Sequence, residues 1–291
     1  MPSKAMIRPP FFEGVVHIDA GPLHVVRLSS TGRPLVVVHG GPDWDHTYLL
    51  PAVRPLVEQG VAPILFDLRG CGASLRLNDS SQYTVAAVVR DMVDLLDTLD
   101  LETVDLLGFS FGGIVAQEFL TSHPERIDRV VLAATAYPVI ASSEIRAGRQ
   151  ASAALQERIK WLFAHEPDTQ AASRLLAEES LELDVHLASS LIEARHLING
   201  VSFSGEWMAA LRARSNQEGR RFQLPQLTAL ANRVLLLHGE QDVRFPAAAA
   251  ALVHQAAPQS KLRVLPNAGH LAYIDAPGPW QQALGHFLVD R

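Results

Sequence analysis

Short, strongly apolar runs alternate along the chain with longer stretches in which apolar residues recur at three- and four-residue steps. Residues 34–39 are almost continuously apolar, as expected of a strand buried on both faces of a parallel sheet. Residues 84–99 instead carry their apolar side chains on one helical face. Further strand-like runs are residues 61–66, 104–107, 129–134, 233–238 and 261–265, and further helical patterns are residues 49–59, 112–122, 246–257 and 278–289. This alternation predicts a doubly wound, mostly parallel α/β sheet.

Two departures from the alternation refine this fold. Residues 14–19 and 23–28 flank Gly21-Pro22, which predicts an antiparallel hairpin ahead of the first parallel strand. Between residues 137 and 226 strand-like runs are absent, and helical periodicity recurs over residues 152–163, 171–181 and 185–197. We therefore expect a helical lid over 137–226, inserted into a core made of residues 1–136 and 227–291.

The segment Gly108-Phe109-Ser110-Phe111-Gly112 lies between a predicted strand and a predicted helix. A sharp strand-to-helix turn forces the central residue into a strained backbone conformation, and small flanking residues relieve the crowding. Such a turn presents a serine hydroxyl at the start of the helix. Ser110 is therefore the candidate nucleophile.

A nucleophilic serine needs a base, and the base needs an acid to orient it. Asp242 follows the strand-like run 233–238, and His270 follows the last run in a glycine-containing loop. All three residues come after carboxyl ends of strands, which meet at one edge of a parallel sheet. Ser110, Asp242 and His270 are the predicted catalytic residues, with Glu240 as the nearest rival to Asp242.

Acyl transfer also needs donors for a developing oxyanion. The backbone N–H of Phe111, directly after the candidate nucleophile, is one candidate. The other is the N–H of Gly41 in His39-Gly40-Gly41-Pro42, because a residue without a Cβ lets a substrate approach its backbone. His39 is expected to brace this loop, and Asp67 and Arg69 to tie neighbouring loops together.

Composition excludes several other classes of protein. The 291 residues carry a net charge of −6 with the charges dispersed, which argues against a nucleic-acid surface. The only cysteine is Cys71, so no intramolecular disulfide can form. Signal-peptide, membrane-spanning, metal-ligand and phosphate-cradling patterns are missing from the sequence. We expect a cytoplasmic protein without metal or cofactor, whose partner is a small-molecule acyl substrate; the oligomeric state stays open.

Taken together, these motifs resemble the α/β-hydrolase superfamily and, within it, the branch of the proline iminopeptidases. The resemblance covers residues 15–135 and 227–289. Its carriers are residues 39–42, 67–74, 108–112, 122–126, 238–242 and 267–270. It implies a serine hydrolase with a helical lid. The chain departs from the iminopeptidase pattern at Asp43-Trp44-Asp45-His46, and at Phe109 and Phe111 around the candidate nucleophile.

These departures favour hydrolysis of a small ester, lactone or related acyl compound over removal of an N-terminal proline. The resemblance implies that an iminopeptidase would use lid carboxylates to hold the free α-amine of its substrate. No sequence pattern assigns this role to the acidic residues of the predicted lid, which are Glu178, Glu179, Glu182, Glu193 and Glu206. A ligand receptor and a cofactor-free lyase or oxygenase on the same fold are further alternatives. Aromatic side chains predict an apolar substrate pocket; the candidates are Phe109, Trp44, Trp161, Phe203 and Trp207.

Overall fold

The computed structural model describes residues 11–137, 153–213 and 233–289. Strands in these ranges are β1 (Phe12–Ile18), β2 (Gly21–Arg27), β3 (Arg33–Val38), β4 (Val61–Phe66), β5 (Val104–Phe109), β6 (Ile127–Ala133), β7 (Val234–Gly239) and β8 (Lys261–Leu265). They form one sheet in the order β1-β2-β4-β3-β5-β6-β7-β8. The first two strands run antiparallel to their neighbours, and β3 to β8 are parallel. This confirms the predicted fold class.

The hairpin lies where the sequence predicts it, but its turn does not. Ile18 pairs with Gly21, so the chain reverses at Asp19 and Ala20, and Gly21 and Pro22 begin β2. Pro22 is tolerated there because it is the second residue of its strand and lies outside the stretch Val25–Arg27 that pairs with β4. The prediction that Gly21-Pro22 forms the turn is therefore wrong by two residues.

The helices of the described ranges fit most of the predicted helical patterns. They are α1 (Leu50–Val53), α2 (Val85–Thr98), α3 (Phe111–Ser122), α4 (Ala153–His165), α5 (Gln170–Asp184), α6 (Ser190–Gly200), α7 (Glu206–Ala213), α8 (Ala247–Ala256), α9 (Ala272–Asp275) and α10 (Pro277–Leu288). None of them is long and apolar enough to cross a bilayer. The predicted helix 49–59 is wrong in its second half: Pro55 has no N–H for an α-helical bond, and Arg54–Gln59 is a 3₁₀ helix.

Alternate side chains of each central strand pack into two separate apolar cores, one on each face of the sheet. In β3, Val36 and Val38 face the core that contains α2 and α3, whereas Leu35 and Val37 face the core that contains α1 and α10. The neighbouring strand β5 repeats this pattern with Leu106 on the first side. Helices on both faces explain why these strands read as nearly continuous apolar runs.

Helices α4 to α7 occupy the region between β6 and β7, where the sequence predicts a helical insertion. No strand occurs in residues 153–213, the part of this region that the structure describes. Residues 138–152 and 214–226 of the predicted lid lie outside the described residues. Helix α6 begins at Ser190 rather than at 185, because the chain bends after Val185 and the N–H groups of His186 and Leu187 donate to Asp275 of the core. The division into core and lid domains stays a prediction.

Two carboxylates of the β3–α1 loop fasten this helical region to the core. Asp43 is buried and accepts from the backbone N–H groups of Trp207 and Met208, both at 2.9 Å, in the first turn of α7. It also accepts from the hydroxyl of Ser204 at 2.9 Å. Burial raises the pKa of Asp43 to about 6, so at neutral pH the group is mainly the carboxylate that these donors need. Asp45 adds a bond from the Ser202 N–H at 2.9 Å.

Replacement of Asp43 by alanine tests this attachment. Asp43→Ala leaves two buried N–H groups of α7 without an acceptor, so we expect a loss of about 1–3 kcal/mol in the free energy of unfolding. Urea denaturation measures the loss. Glu157→Ala, which removes an exposed ion pair with Lys160 on α4, is the control and should cost less than about 0.5 kcal/mol. Equal stability of the two variants would contradict the attachment.

Candidate active site

Ser110 occupies the turn between β5 and α3 with φ +55° and ψ −119°, in the left-handed half of backbone space. Such a conformation costs a non-glycine residue about 1–3 kcal/mol and persists only where its surroundings hold it. Its N–H donates to the carbonyl of Ala133 at 3.0 Å, and its carbonyl accepts from the Thr135 hydroxyl at 2.6 Å. The strand β6 and the residues that follow it therefore fix the strained turn.

Close backbone packing on the other side of the turn requires glycine at position 112. A Cβ at Gly112 would lie 2.1 Å from the carbonyl oxygen of Val38 and 2.6 Å from that of His39. Both are backbone atoms of β3 and its loop, so they cannot move aside like a flexible side chain. The absence of a side chain lets α3 start directly against β3, which sets the direction in which Ser110 projects.

The structure brings Ser110, His270 and Asp242 into one hydrogen-bonded line, which we call the triad. His270 Nε2 lies 3.1 Å from Ser110 Oγ, and His270 Nδ1 lies 2.9 Å from Asp242 Oδ2. An acceptor carboxylate at Nδ1 places the imidazole proton there and leaves Nε2 free to take the serine proton. Glu240 lies outside this line and accepts from the side chain of Gln241 instead.

Asp242 is held in the ionised form by its neighbours. Burial alone would raise the pKa of this carboxyl, but the charge and hydrogen bond of His270 outweigh it and lower the pKa. The second oxygen, Oδ1, accepts from the N–H groups of Arg244 at 2.8 Å and Phe245 at 2.9 Å. With both oxygens bonded, the carboxylate has a fixed orientation toward His270.

The two predicted oxyanion donors border the same space as Ser110. Gly41 and Phe111 line the cavity at the triad, and Gly41 has φ +55°. Within the described residues, neither N–H has a hydrogen-bond acceptor in the protein. A Cβ on the adjacent Gly40 would meet the Cβ of Ser110 at 2.5 Å, which shows how closely this loop approaches the serine. Free donors beside a serine are suited to a developing oxyanion.

His39 and Asp67 make hydrogen bonds that hold residues 39–46, the loop that carries Gly41, which we call the oxyanion loop. His39 Nε2 accepts from the Leu68 N–H at 3.1 Å, and its Nδ1 lies 2.9 Å from the Gly40 carbonyl, so the Nδ1–H tautomer satisfies both contacts. Asp67 Oδ1 accepts from the N–H of His46 at 3.1 Å and lies 2.7 Å from His46 Nδ1. The bracing predicted from the sequence is thus built from these contacts.

The sequence predicts no metal site, yet His24, His46 and Asp67 place potential ligand atoms within 4.8 Å of one another. Asp67 Oδ1 is already bonded to His46, and Oδ2 accepts from the Ala73 N–H at 2.9 Å and lies 3.4 Å from His24 Nδ1. Burial alone would raise the pKa of Asp67, but the hydrogen bonds of the two histidines outweigh it and lower this pKa. The arrangement is a buried carboxylate satisfied by its neighbours.

Ser110 and His270 open into a cavity of about 490 Å³ whose wall is mainly apolar. Two of the predicted pocket residues, Phe109 and Trp44, belong to this wall. The other apolar or aromatic side chains that line it are Pro42, Tyr48, Phe111, Ile114, Ile159, Leu176, Ala177, Met208, Leu211, Phe245 and Leu271. Its size and lining are suited to a small, largely apolar ligand.

The other three predicted pocket residues do not line the cavity. Trp161 lies on α4, is 54% exposed and stacks on His165. The prediction that it lines the pocket is wrong, because its face of the helix points to solvent. Phe203 is buried behind Trp44, with ring centroids 5.6 Å apart. Trp207 is buried behind Phe111 at 5.1 Å, and its indole N–H donates to the Arg69 carbonyl at 2.7 Å. Both support wall residues instead of contacting the cavity.

Sequence reasoning misses three polar residues of the site. Tyr48 belongs to no recognisable sequence motif, yet its hydroxyl accepts a hydrogen bond from the Gly40 N–H at 2.8 Å and so positions the oxyanion loop. Asp184 and Arg244 form an ion pair in the cavity wall. Arg244 follows Asp242 by two residues, which is a local signal; nothing in the sequence indicates that Asp184 lies opposite.

The family model described as alpha/beta hydrolase fold matches residues 33–277. The chain is 28% identical over 283 residues to 2-hydroxymuconate semialdehyde hydrolase of Pseudomonas sp. (strain CF600), covering 94% of this chain and 93% of that protein. It is 23% identical over 279 residues to proline iminopeptidase of Lactobacillus delbrueckii subsp. lactis, covering 92% and 94%. The structure of an esterase from Exiguobacterium antarcticum matches with a TM-score of 0.75 at 22% identity, covering 95% of this chain and 99% of that one.

The chain therefore belongs to the alpha/beta hydrolase fold family. This confirms the superfamily resemblance, and an iminopeptidase is among the similar proteins. The chain is accordingly an enzyme of the α/β-fold hydrolase kind. The similar proteins carry different activities in their names, so family membership leaves the substrate open.

Substitution at Gly112 tests the close packing that presents Ser110. Because the new methyl group would overlap two backbone carbonyls, Gly112→Ala should lower the free energy of unfolding by about 1–3 kcal/mol and hydrolytic turnover by at least tenfold. Gly278→Ala is the matched control, since Gly278 is also the second residue of its helix but has open space around it. It should retain stability and turnover. Similar behaviour of the two variants, in urea denaturation and hydrolysis assays, would contradict this packing argument.

Proposed function

We propose that this protein is a serine hydrolase that cleaves a small ester, lactone or related acyl compound through an acyl-enzyme on Ser110. The observation that carries the proposal is the hydrogen-bonded line from Asp242 through His270 to Ser110 at the wall of an apolar cavity. A substrate carbonyl carbon that reaches Ser110 Oγ would place its oxygen beside the free N–H groups of Gly41 and Phe111.

In the proposed reaction His270 transfers one proton in each half: the serine proton to the departing alcohol, and then a proton of water to Ser110. Ser110 Oγ bonds to the carbonyl carbon while His270 Nε2 takes its proton, and the oxyanion accepts from Gly41 and Phe111. The C–O bond to the alcohol part then breaks, and His270 returns the proton to the departing oxygen. Water attacks the acyl-enzyme, again losing a proton to His270, and the proton passes to Ser110 Oγ as the acid leaves. Ionised Asp242 stabilises each imidazolium.

The charges around the cavity support an ester or lactone over the runner-up, an aminopeptidase acting on N-terminal proline. Such a peptidase needs a carboxylate that is available to bind the substrate's α-ammonium group. Among the described cavity-lining residues the carboxylate is Asp184, which Arg244 already pairs. Glu178, Glu179 and Glu182 line a separate surface depression with Arg195, and Glu206 pairs with Arg76. A buried substrate ammonium would thus find no unpaired carboxylate among the described residues that line the cavity.

A substrate panel tests the proposal. The p-nitrophenyl esters of acetic, butyric and hexanoic acid, a small lactone and the p-nitroanilide of proline are compared by kcat/KM. We expect turnover of the esters, and a value for the prolyl amide at least about 100-fold lower, because the unpaired ammonium has to be desolvated. Equal or faster cleavage of the prolyl amide would establish the aminopeptidase instead.

The same panel with Ser110→Ala separates catalysis by the triad from activity of a contaminant or of another group. This variant should bind product or substrate analogues but lose nearly all ester turnover. If a folded Ser110→Ala protein hydrolysed the esters at the wild-type rate, the acyl-enzyme mechanism would be refuted.

A further inference from the structure

One ion pair lies in the otherwise mainly apolar wall of the active-site cavity. Asp184 is the last residue of α5, and Arg244 lies in the loop that carries Asp242; both line the cavity with Ser110. Arg244 Nε donates to one carboxylate oxygen of Asp184, and Nη2 donates to the other at 3.1 Å. This is the bidentate geometry in which a guanidinium binds a carboxylate most strongly.

Arg244 has donor groups left over after this pairing. A guanidinium carries five N–H bonds, and two of them serve Asp184. Within the described part of the chain, Nη1 has no acceptor in the protein. The Arg244 side chain is 30% exposed, whereas that of Asp184 is 3% exposed. The pair therefore presents N–H donors, and not its carboxylate, to the surface that a ligand can reach.

Local charge decides which acceptor these donors favour. Asp184 already neutralises the charge of Arg244. The nearby Asp242 adds a second negative charge, which lies against His270. A substrate carboxylate would add one more negative charge to a cavity with no second cation among its described lining residues. An uncharged oxygen adds no charge and still accepts a hydrogen bond from a charged donor.

We propose that Arg244 is a specificity-determining residue that donates a hydrogen bond to an uncharged oxygen on the substrate. This oxygen is additional to the acyl group at Ser110, and a ketone, ether or hydroxyl group would supply it. The inference rests on the proposed function and narrows its substrate class to oxygenated acyl compounds with otherwise apolar chains. Since the surrounding wall is mainly apolar, one such donor contributes strongly to discrimination.

The test compares matched esters in a variant that removes the whole pair. Arg244→Met alone would leave Asp184 as a buried, unpaired carboxylate, so it is combined with Asp184→Leu. We compare kcat/KM for p-nitrophenyl hexanoate with that for hexanoates bearing a keto group at the fourth or fifth carbon. In the wild type at least one keto ester should be favoured, and its advantage should fall about tenfold or more in the double variant.

Comparing each pair of esters in both proteins cancels differences in their spontaneous reactivity and in overall activity of the variant. A second double variant, Asp184→Ala with Arg244→Leu, also removes both charges and every side-chain donor of the pair, and it serves if the first one does not fold. The control is Arg76→Met with Glu206→Leu, because this pair also joins the core to the helical region but does not line the cavity. It should leave the keto-to-hexanoate ratio unchanged.

Three results would overturn different claims. An unchanged ratio in a folded pair variant would overturn the role of Arg244 while the hydrolase assignment stands. Preference of the wild type for the hexanedioic acid half-ester over both keto esters would show that the donors select a carboxylate, against the charge argument. Absence of turnover for every ester would instead overturn the proposed function.

Discussion

The positive φ of Ser110 is the constraint on which the rest of the site depends. This conformation is held by two hydrogen bonds, one from the Ser110 N–H to Ala133 at the end of β6 and one from the Thr135 hydroxyl to the Ser110 carbonyl. In addition, Gly112 lets α3 begin against β3. The parallel sheet then brings the loops after β3, β7 and β8 to the same edge. The triad residues and the predicted oxyanion donors come from four separate loops, and the order of the strands makes these loops neighbours.

The helices between β6 and β7 do more than border the cavity. Asp43 and Asp45 fasten the oxyanion loop to α7 and to the residues before it. On the opposite side, the carbonyl of Asp184 accepts from the Leu271 N–H at 2.7 Å, directly after His270, while Asp275 accepts from His186 and from Gly269. Polar contacts of one helical region thus reach the loops that carry Gly41, His270 and, through Arg244, Asp242.

Sequence patterns predict the sheet, most helices and the five residues at the centre of the candidate site, because these follow from local rules. Apolar runs mark strands buried on both faces, and the glycines around Ser110 mark a crowded turn. Long-range packing is where the predictions end. Nothing local indicates that Trp161 faces solvent, that Phe203 and Trp207 stand behind Trp44 and Phe111, or that Asp184 meets Arg244. The end of the α-helix before Pro55 could be predicted from the sequence alone, because proline lacks the N–H that an α-helical hydrogen bond requires.

The central claim is that the triad makes Ser110 a nucleophile, and covalent labelling tests it most directly. The folded protein is treated with a fluorophosphonate and digested, and the modified residue is located by mass spectrometry. We expect one adduct, on Ser110, with no adduct in Ser110→Ala and much slower labelling in His270→Ala, where the base is missing. A folded wild-type protein that leaves Ser110 unmodified would contradict it.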